Sequence, residues 1–250
     1  MSIETNSQVK GHIHPLSQVL REVVEIFTDL GFKIGEGPEV ESEFYNFDAL
    51  NVPKDHPARD MHDTFWIANP ENGREILRTH ISSLQVRFME QNKPPFRMIS
   101  PGRVYRYEAT DATHEAQFTY VEGLMVDKNV SMANLKGVLE EFLKRLFGKS
   151  NLVIRLRPSF FPFVEPAVEI DMSCFKCEGG GCGICKQTGW VEILGAGMVH
   201  PAVLNNGKID PRVWKGFAFG GGIDRIAMLK YGVDDIRLFY GGDLRFIDQF

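Results

Sequence analysis

Residues 98–127 read MISPGRVYRYEATDATHEAQFTYVEGLMVD and combine alternating side chains with a high density of polar groups. A β-strand over residues 103–108 would place Arg106 and Glu108 on one face, because alternate side chains of a strand point the same way. Residues 109–117 contain no apolar run and are rich in Thr and Asp, which favours a polar loop that could act as a lid. Alternation resumes at residue 118. The stretch therefore predicts two antiparallel strands joined by a loop that carries His114.

This hairpin would gather a mixed set of side chains on one sheet face: Arg106, Glu108, Phe118, Tyr120 and Glu122. A cation, two anions and two aromatic rings would then share one surface. Periodicity alone is equally compatible with a solvated hairpin that carries scattered charges.

Composition points to an ordinary globular protein. The chain has 250 residues, of which 43% are hydrophobic and 24% charged, enough to bury one sizeable core. No apolar run approaches the ~20 residues that span a bilayer, and residues 1–10 lack the apolar centre of a signal peptide, so we expect a cytoplasmic location. The net charge of −5 gives no bulk attraction to nucleic acid. We expect residues 1–10 to be a disordered or trimmed segment and residues 11–250 to form one domain.

Two stretches predict amphipathic helices that would support the hairpin. Apolar residues over 16–30 follow helical spacing, with Pro15 in the first turn and Gly31 just past the end, the usual punctuation of a helix. Ser131 would cap a second helix, which Gly148 would terminate.

Two segments between the first helix and the hairpin are polar. In residues 78–90, RTHISSLQVRFME, Ser82 or Ser83 could cap a short helix. Residues 56–66, HPARDMHDTFW, are too polar for a core, and the spacing of their two histidines fits no common metal template.

All four cysteines of the chain lie in one glycine-rich segment: Cys174, Cys177, Cys182 and Cys185. Two Cys-x2-Cys units in a cytosolic protein favour a metal over disulfides. We predict structural Zn²⁺, because four thiolates fill a tetrahedral shell and leave no open position for catalysis. Redox-active pairs and a metal-free loop are the alternatives.

Three motifs together resemble those of class II aminoacyl-tRNA synthetases. The Arg-x-Glu, loop and Phe-x-x-x-Glu pattern of residues 106–122 resembles motif 2, and GFAFGGGIDR at 216–225 resembles motif 3. FPFVEP at 161–166 is similar to an element of the bacterial phenylalanyl-tRNA synthetase α subunits. The resemblance extends over residues 11–250. It implies an α+β catalytic domain, an antiparallel β-sheet flanked by helices, with a small four-cysteine knuckle inserted at 174–185.

The resemblance implies where ATP would bind. Arg106 would grip the α-phosphate and Arg225 would meet the γ-phosphate from the opposite side, so these two are the expected catalytic residues. The remaining ATP-binding residues would be Glu108 and Phe118 at the adenine and His114 in the loop.

The resemblance also implies a phenylalanine site and a magnesium ligand. Phe161 and Phe163 would stack edge to face on the ring of the amino acid, and Glu165 would hold Mg²⁺ together with a partner subunit. The other implied phenylalanine-binding residues are His80, Ser82, Tyr120, Glu122, Ala218 and Gly220.

The implied activity is ATP-dependent formation of phenylalanyl-adenylate, followed by transfer to tRNA(Phe). The implied partners are a larger β subunit, in a heterotetramer of two α and two β chains, and tRNA(Phe). Two departures leave rivals open: the chain has only about ten residues before the catalytic region, and Tyr120 stands where the family usually has Gln. The rivals are an adenylate-forming paralogue that does not charge tRNA and a non-catalytic, zinc-stabilised assembly subunit.

Overall fold

The computed structural model of the protein describes residues 11–56, 64–68 and 74–250. The expectation for residues 1–10 lies outside these ranges, as does most of the polar segment 56–66. Within the described ranges, none of the helices combines the length and apolarity needed to cross a membrane.

A seven-stranded sheet forms the centre of the fold, with strand order β1-β5-β6-β10-β9-β8-β7. Its pairings are antiparallel except that between β1 and β5. A small sheet of order β2-β4-β3 lies apart from it. The strands are β1 Lys33–Ile34, β2 Val40–Ser42, β3 Trp66–Ile67, β4 Glu75–Leu77, β5 Phe96–Tyr105, β6 Gln117–Asp127, β7 Ile154–Phe161, β8 Val164–Ser173, β9 Trp190–Val199 and β10 Lys215–Gly222.

Helices cover both faces of the large sheet. They are α1 Pro15–Asp29, α2 Glu43–Asn46, α3 Ser82–Gln91, α4 Met132–Phe147, α5 Pro201–Asn206, α6 Ile223–Tyr231 and α7 Leu244–Ile247, with 3-10 helices at Asp48–Leu50 and Ile236–Phe239. Buried residues of α1, α4 and α6 form one core with the sheet. Those of α3 and α5 form a second core on the other face. The predicted α+β architecture, an antiparallel sheet flanked by helices, is confirmed.

The two predicted helices begin and end where the sequence signals indicated. The ring of His14 accepts a hydrogen bond from the Leu16 amide at the start of α1. Ser131 and Asn134 form a reciprocal capping box at the start of α4, which satisfies amides that would otherwise lack partners. Gly148 ends α4 in the left-handed conformation, φ 62°, which glycine adopts without steric cost.

The hairpin differs from its prediction at one point. Strand β6 alternates as expected, with Val121 in the core beneath α1 and Leu124 in the core beneath α3. Strand β5, however, ends at Tyr105, so the predicted strand over 103–108 is wrong in its second half. The Arg106 amide still donates to the Ala116 carbonyl at 3.0 Å, but the Glu108 amide turns back onto the Arg106 carbonyl at 2.8 Å. This turn starts the loop three residues early.

Candidate active site

Two cavities lie side by side where strands β6 and β10 meet. The loop cavity, about 190 Å³, is lined by Arg106, Glu108, Thr113, His114, Glu115, Phe118, Tyr120, Gly222, Asp224, Arg225, Met228 and Ile236. The aromatic cavity, about 300 Å³, is lined by His80, Ser82, Gln85, Arg106, Tyr120, Glu122, Phe160, Phe161, Pro162, Phe163, Val164, Gly195, Ala196, Ala218, Phe219 and Gly220. Arg106 and Tyr120 line both. Arg106 and Tyr120 therefore lie where ligands bound in the two cavities would contact each other.

The loop cavity brings together all five residues expected to bind ATP. Arg106 lies just past the end of β5, with its Nε 3.3 Å from the Thr79 carbonyl oxygen and its guanidinium carbon 5.2 Å from the centre of the Phe118 ring. Arg225 is exposed in the first turn of α6. Among the described residues, no carboxylate forms an ion pair with either guanidinium. The lining also holds three carboxylates, those of Glu108, Glu115 and Asp224, so the two guanidinium groups would bind phosphates by direct contact and not through the net charge of the cavity.

The loop between β5 and β6 is organised by Asp111. Its carboxylate accepts hydrogen bonds from the Thr113 amide at 2.6 Å and the His114 amide at 2.8 Å, and the His114 ring lies 3.0 Å away. These donors hold the pKa of Asp111 well below its usual range, since hydrogen bonds to the anion favour it. The arrangement presents His114 at the rim of the loop cavity.

The aromatic cavity brings together all eight residues expected to bind phenylalanine. The rings of Phe161 and Phe163 are nearly parallel, with centroids 6.0 Å apart, and the His80 ring lies 6.2 Å from Phe163. Their edge-to-face contact with a substrate ring stays a prediction. Phe160, which the sequence did not single out, also lines the cavity; it is 71% exposed and stacks on His56.

At the base of the aromatic cavity lies the buried carboxylate of Glu122, 4% exposed. It accepts hydrogen bonds from the Ile81 amide at 3.0 Å, the Ser82 hydroxyl at 2.8 Å and the Gln85 side-chain amide at 2.7 Å. Burial nevertheless raises the pKa of Glu122. A cation bound in the cavity would supply the counter-charge that a buried anion requires.

The bonds of Glu122 explain an error and an omission of the sequence analysis. Ser82 does not cap α3, because its hydroxyl donates to Glu122 instead. Gln85 was missed, although the spacing of three residues from Ser82 on a helix places both side chains on one face. That spacing was the available signal.

Small residues of β10 make room in the cavity. Ala218 pairs with Leu124 and Gly220 pairs with Glu122 across the sheet. A Cβ atom on Gly220 would lie 2.7 Å from Cγ of Glu122 and 3.0 Å from the Tyr120 ring, closer than carbon atoms pack. Glycine at this position therefore allows both side chains to reach the cavity.

Glu165, the expected magnesium ligand, lines neither cavity. Its side chain is 77% exposed, and its nearest ion-pair partner among the described residues is His200, 3.6 Å away. An exposed carboxylate is free to accept a hydrated cation or a ligand from another chain. Its role stays a prediction.

The four cysteines form one cluster, as predicted. Their sulfur atoms all lie within 4.8 Å of one another, Cys174 is 3.7 Å from Cys182, and Cys177 is 3.7 Å from Cys185. A tetrahedral zinc site with Zn–S bonds of about 2.3 Å places its sulfurs about 3.8 Å apart. Backbone amides of Gly181 and others also point at the sulfurs, as they would toward thiolates. The donor set and spacing fit zinc.

Comparisons with known proteins agree with this geometry. A family model described as the class II core domain of tRNA synthetases (F) matches residues 1–250. In a solved structure, the pyrrolysyl-tRNA synthetase of Desulfitobacterium hafniense, the same fold recurs with a TM-score of 0.66 at 16% identity, over 90% of this chain and 72% of that one. The fold is that of a class II tRNA synthetase core domain.

Relatives of high sequence identity show to which family of class II tRNA synthetases the chain belongs. The phenylalanine–tRNA ligase α subunit of Geobacillus kaustophilus is 57% identical over 242 residues, 96% of this chain and 69% of that protein. That of Desulfotalea psychrophila is 58% identical over 240 residues, with the same shares covered. That of Pseudomonas fluorescens is 53% identical over 250 residues, 100% of this chain and 72% of that protein. The chain belongs to the phenylalanine–tRNA ligase α subunit family.

The first prediction compares two neighbours on β6. Glu122→Gln should raise the KM for phenylalanine far more than Tyr120→Phe, because it removes the anion expected to face the substrate ammonium. Tyr120→Phe removes at most one neutral hydrogen bond, worth about 1 kcal/mol, and should weaken binding less than about tenfold. Phenylalanine-dependent exchange of pyrophosphate into ATP measures both. The reverse ranking would contradict the placement of Glu122 at the ammonium.

The second prediction concerns the cysteine cluster. Metal analysis should find one Zn²⁺ per chain, and Cys174→Ser should lower the melting temperature with little change in substrate KM, because a closed metal site stabilises without catalysing. Lys176→Ala, which changes an exposed residue between the first two cysteines, is the matched control. If reduced, metal-free protein had the same melting temperature as the protein as purified, the cysteine cluster would not be a structural zinc site.

Proposed function

We propose that the chain is the catalytic α subunit of a phenylalanine–tRNA ligase, which activates phenylalanine with ATP and transfers it to tRNA(Phe). The observation that carries the proposal is the meeting of the two cavities at Arg106 and Tyr120. One cavity offers two guanidinium groups for phosphates, and the other offers a buried carboxylate for an ammonium group. Joined end to end, they match the two reactants of amino acid activation.

In the proposed reaction, a carboxylate oxygen of phenylalanine attacks the α-phosphorus of ATP. The new bond gives phenylalanyl-adenylate, and the bond to the β-phosphate oxygen breaks to release pyrophosphate. No side-chain nucleophile is required. Catalysis comes from holding the reactants in line and from stabilising the charge that develops on the phosphates.

Each residue has a place in this scheme. Arg106, at the junction, would stabilise charge on the α-phosphate, while Arg225 would hold the γ-phosphate in the loop cavity. Glu108 and Phe118 would bind the adenine, and His114 would reach the phosphates from the loop. Glu122 would hold the substrate ammonium, and Phe161 and Phe163 its ring.

Glu165 lines neither cavity, so a partner chain would have to help it hold magnesium, whose charge would offset that of the phosphates. Zinc would be held by the four-cysteine cluster and would stabilise the adjoining loop. The domain would comprise residues 11–250. The family membership and the exposed carboxylate of Glu165 support a β-subunit partner. The complex would contain two α and two β chains and would work in the cytoplasm.

Formation of the cavities weighs against a non-catalytic assembly subunit. The buried carboxylate of Glu122 faces a cavity, where a bound cation could offset the part of its burial cost that three hydrogen bonds do not recover. A paralogue that forms adenylate without charging tRNA would share both cavities, so charging itself must be measured.

The third prediction tests the proposal as a whole. The chain co-assembled with the β subunit of its source should exchange pyrophosphate into ATP when phenylalanine is added and should charge tRNA(Phe); the chain alone should do neither appreciably. Arg106→Ala should lower the exchange rate by at least about 100-fold, the usual effect of losing a charge-stabilising donor. Arg103→Ala, which removes an exposed arginine near the end of β5, is the control.

Three results would count against it. Pyrophosphate exchange that depends on another amino acid, and not on phenylalanine, would show that the enzyme activates that amino acid instead. Exchange without tRNA charging would favour the adenylate-forming paralogue. Full activity of the isolated chain would remove the dependence on a partner.

A further inference from the structure

Asp224 lies where strand β10 gives way to helix α6, next to Arg225. The last residue pair between β6 and β10 is Tyr120 with Gly222, and β6 extends three residues beyond it. The Thr119 amide therefore has no partner in strand β10. It donates instead to Oδ2 of Asp224 at 2.7 Å. The aspartate thus ties the first turn of α6 to β6 immediately after the loop.

The other oxygen of Asp224 is also engaged. Tyr240 follows the 3-10 helix Ile236–Phe239 directly, and its hydroxyl donates to Oδ1 of Asp224. Asp224 is 2% exposed, and burial raises its pKa. Its position in the first turn of α6 favours the anion, since amides at a helix start carry partial positive charge. A buried carboxylate with two specific donors is a rigid connection.

The same 3-10 helix holds the loop between β5 and β6. The Ile236 amide donates to the Ala112 carbonyl at 2.9 Å, and Ile236 lines the loop cavity. The helix is itself anchored, because Ile236 and Phe239 are buried and Nε2 of His14 lies 2.9 Å from the Phe239 carbonyl oxygen. Segment 236–240 therefore contacts the loop on one side and Asp224 on the other.

We propose that Asp224, Ile236 and Tyr240 form a clamp that positions the loop and Arg225 across the loop cavity, so that the three are positioning residues for ATP. The inference rests on the proposed function, since it takes the ligand of this cavity to be a nucleoside triphosphate. The clamp joins two elements that both line that cavity, the loop with His114 and the first turn of α6 with Arg225. None of the three clamp residues lines the aromatic cavity.

A clamp of this kind acts by preorganisation. The loop residues Thr110 to Thr113 are exposed, so the bond from Ile236 limits where they can go. If the clamp is weakened, the loop must become ordered when ATP binds, and the entropy lost in that ordering lowers the affinity for ATP. Phenylalanine, in the neighbouring cavity, is not affected in this way. Purely structural contacts would instead affect both substrates alike or only the melting temperature.

The test is Tyr240→Phe, which removes the hydroxyl and keeps the ring. In the assembled enzyme, the KM for ATP in pyrophosphate exchange should rise about five- to tenfold while the KM for phenylalanine changes less than about twofold. Asp224→Asn should have a smaller effect, because an amide can still bond to both Thr119 and Tyr240. Tyr231→Phe, which removes a hydroxyl bonded to Gln18 at the far end of α6, should change neither value.

Direct binding of ATP, measured by titration calorimetry, separates this inference from the proposed function. A wild-type enzyme without phenylalanine-dependent exchange would defeat the function, but ATP binding by the variants would still test the clamp. Equal increases in both KM values for Tyr240→Phe, or a fall in melting temperature with ATP affinity unchanged, would overturn the clamp.

Discussion

The site depends on the buried carboxylate of Glu122. Its three donors come from the residues that start helix α3, so the same bonds that satisfy the anion fix that helix against strand β6. Burying a charge is costly, and hydrogen bonds recover only part of that cost. Under the proposed function, the cation that completes the site would be the ammonium group of the substrate. The burial that costs stability in the free protein would, under the proposed function, give the site affinity for an ammonium group.

A second buried carboxylate, Asp224, has a comparable role beside the other cavity. Each carboxylate joins a helix start to strand β6. Glu122, on β6, accepts from residues at the start of α3, and Asp224, in the first turn of α6, accepts from the Thr119 amide of β6. Between them lies Tyr120, which lines both cavities and whose pKa burial raises to about 12. Its hydroxyl therefore stays protonated and neutral at the junction. Strand β6 is accordingly the shared wall of both cavities, and its alternation decides which residues face them.

Local patterns predicted the parts of the fold that local physics controls. The sequence predicted the helix caps at Ser131 and Gly148 and the alternation of β6, because each depends on residues close in sequence. The end of β5 could not, since it depends on a turn at Glu108 that breaks the alternation. Tyr240 was missed because its bond to Asp224 spans 16 residues and no periodicity connects the two. The bond from Gln85 to Glu122 spans 37 residues, and only the helical spacing of Gln85 from Ser82 pointed to it. The resemblance supplied the roles of the site residues, while the structure supplied their placement in two adjoining cavities.

The central claim is that the two cavities hold two reactants end to end at Arg106 and Tyr120. A nonreactive analogue of phenylalanyl-adenylate, in which a sulfamoyl group replaces the phosphate, tests it directly by calorimetric competition with the assembled enzyme. One analogue molecule per active site should exclude both ATP and phenylalanine, and it should bind more tightly than either because it joins the two. If phenylalanine or ATP still bound at unchanged affinity beside the analogue, the two cavities would not form one active site.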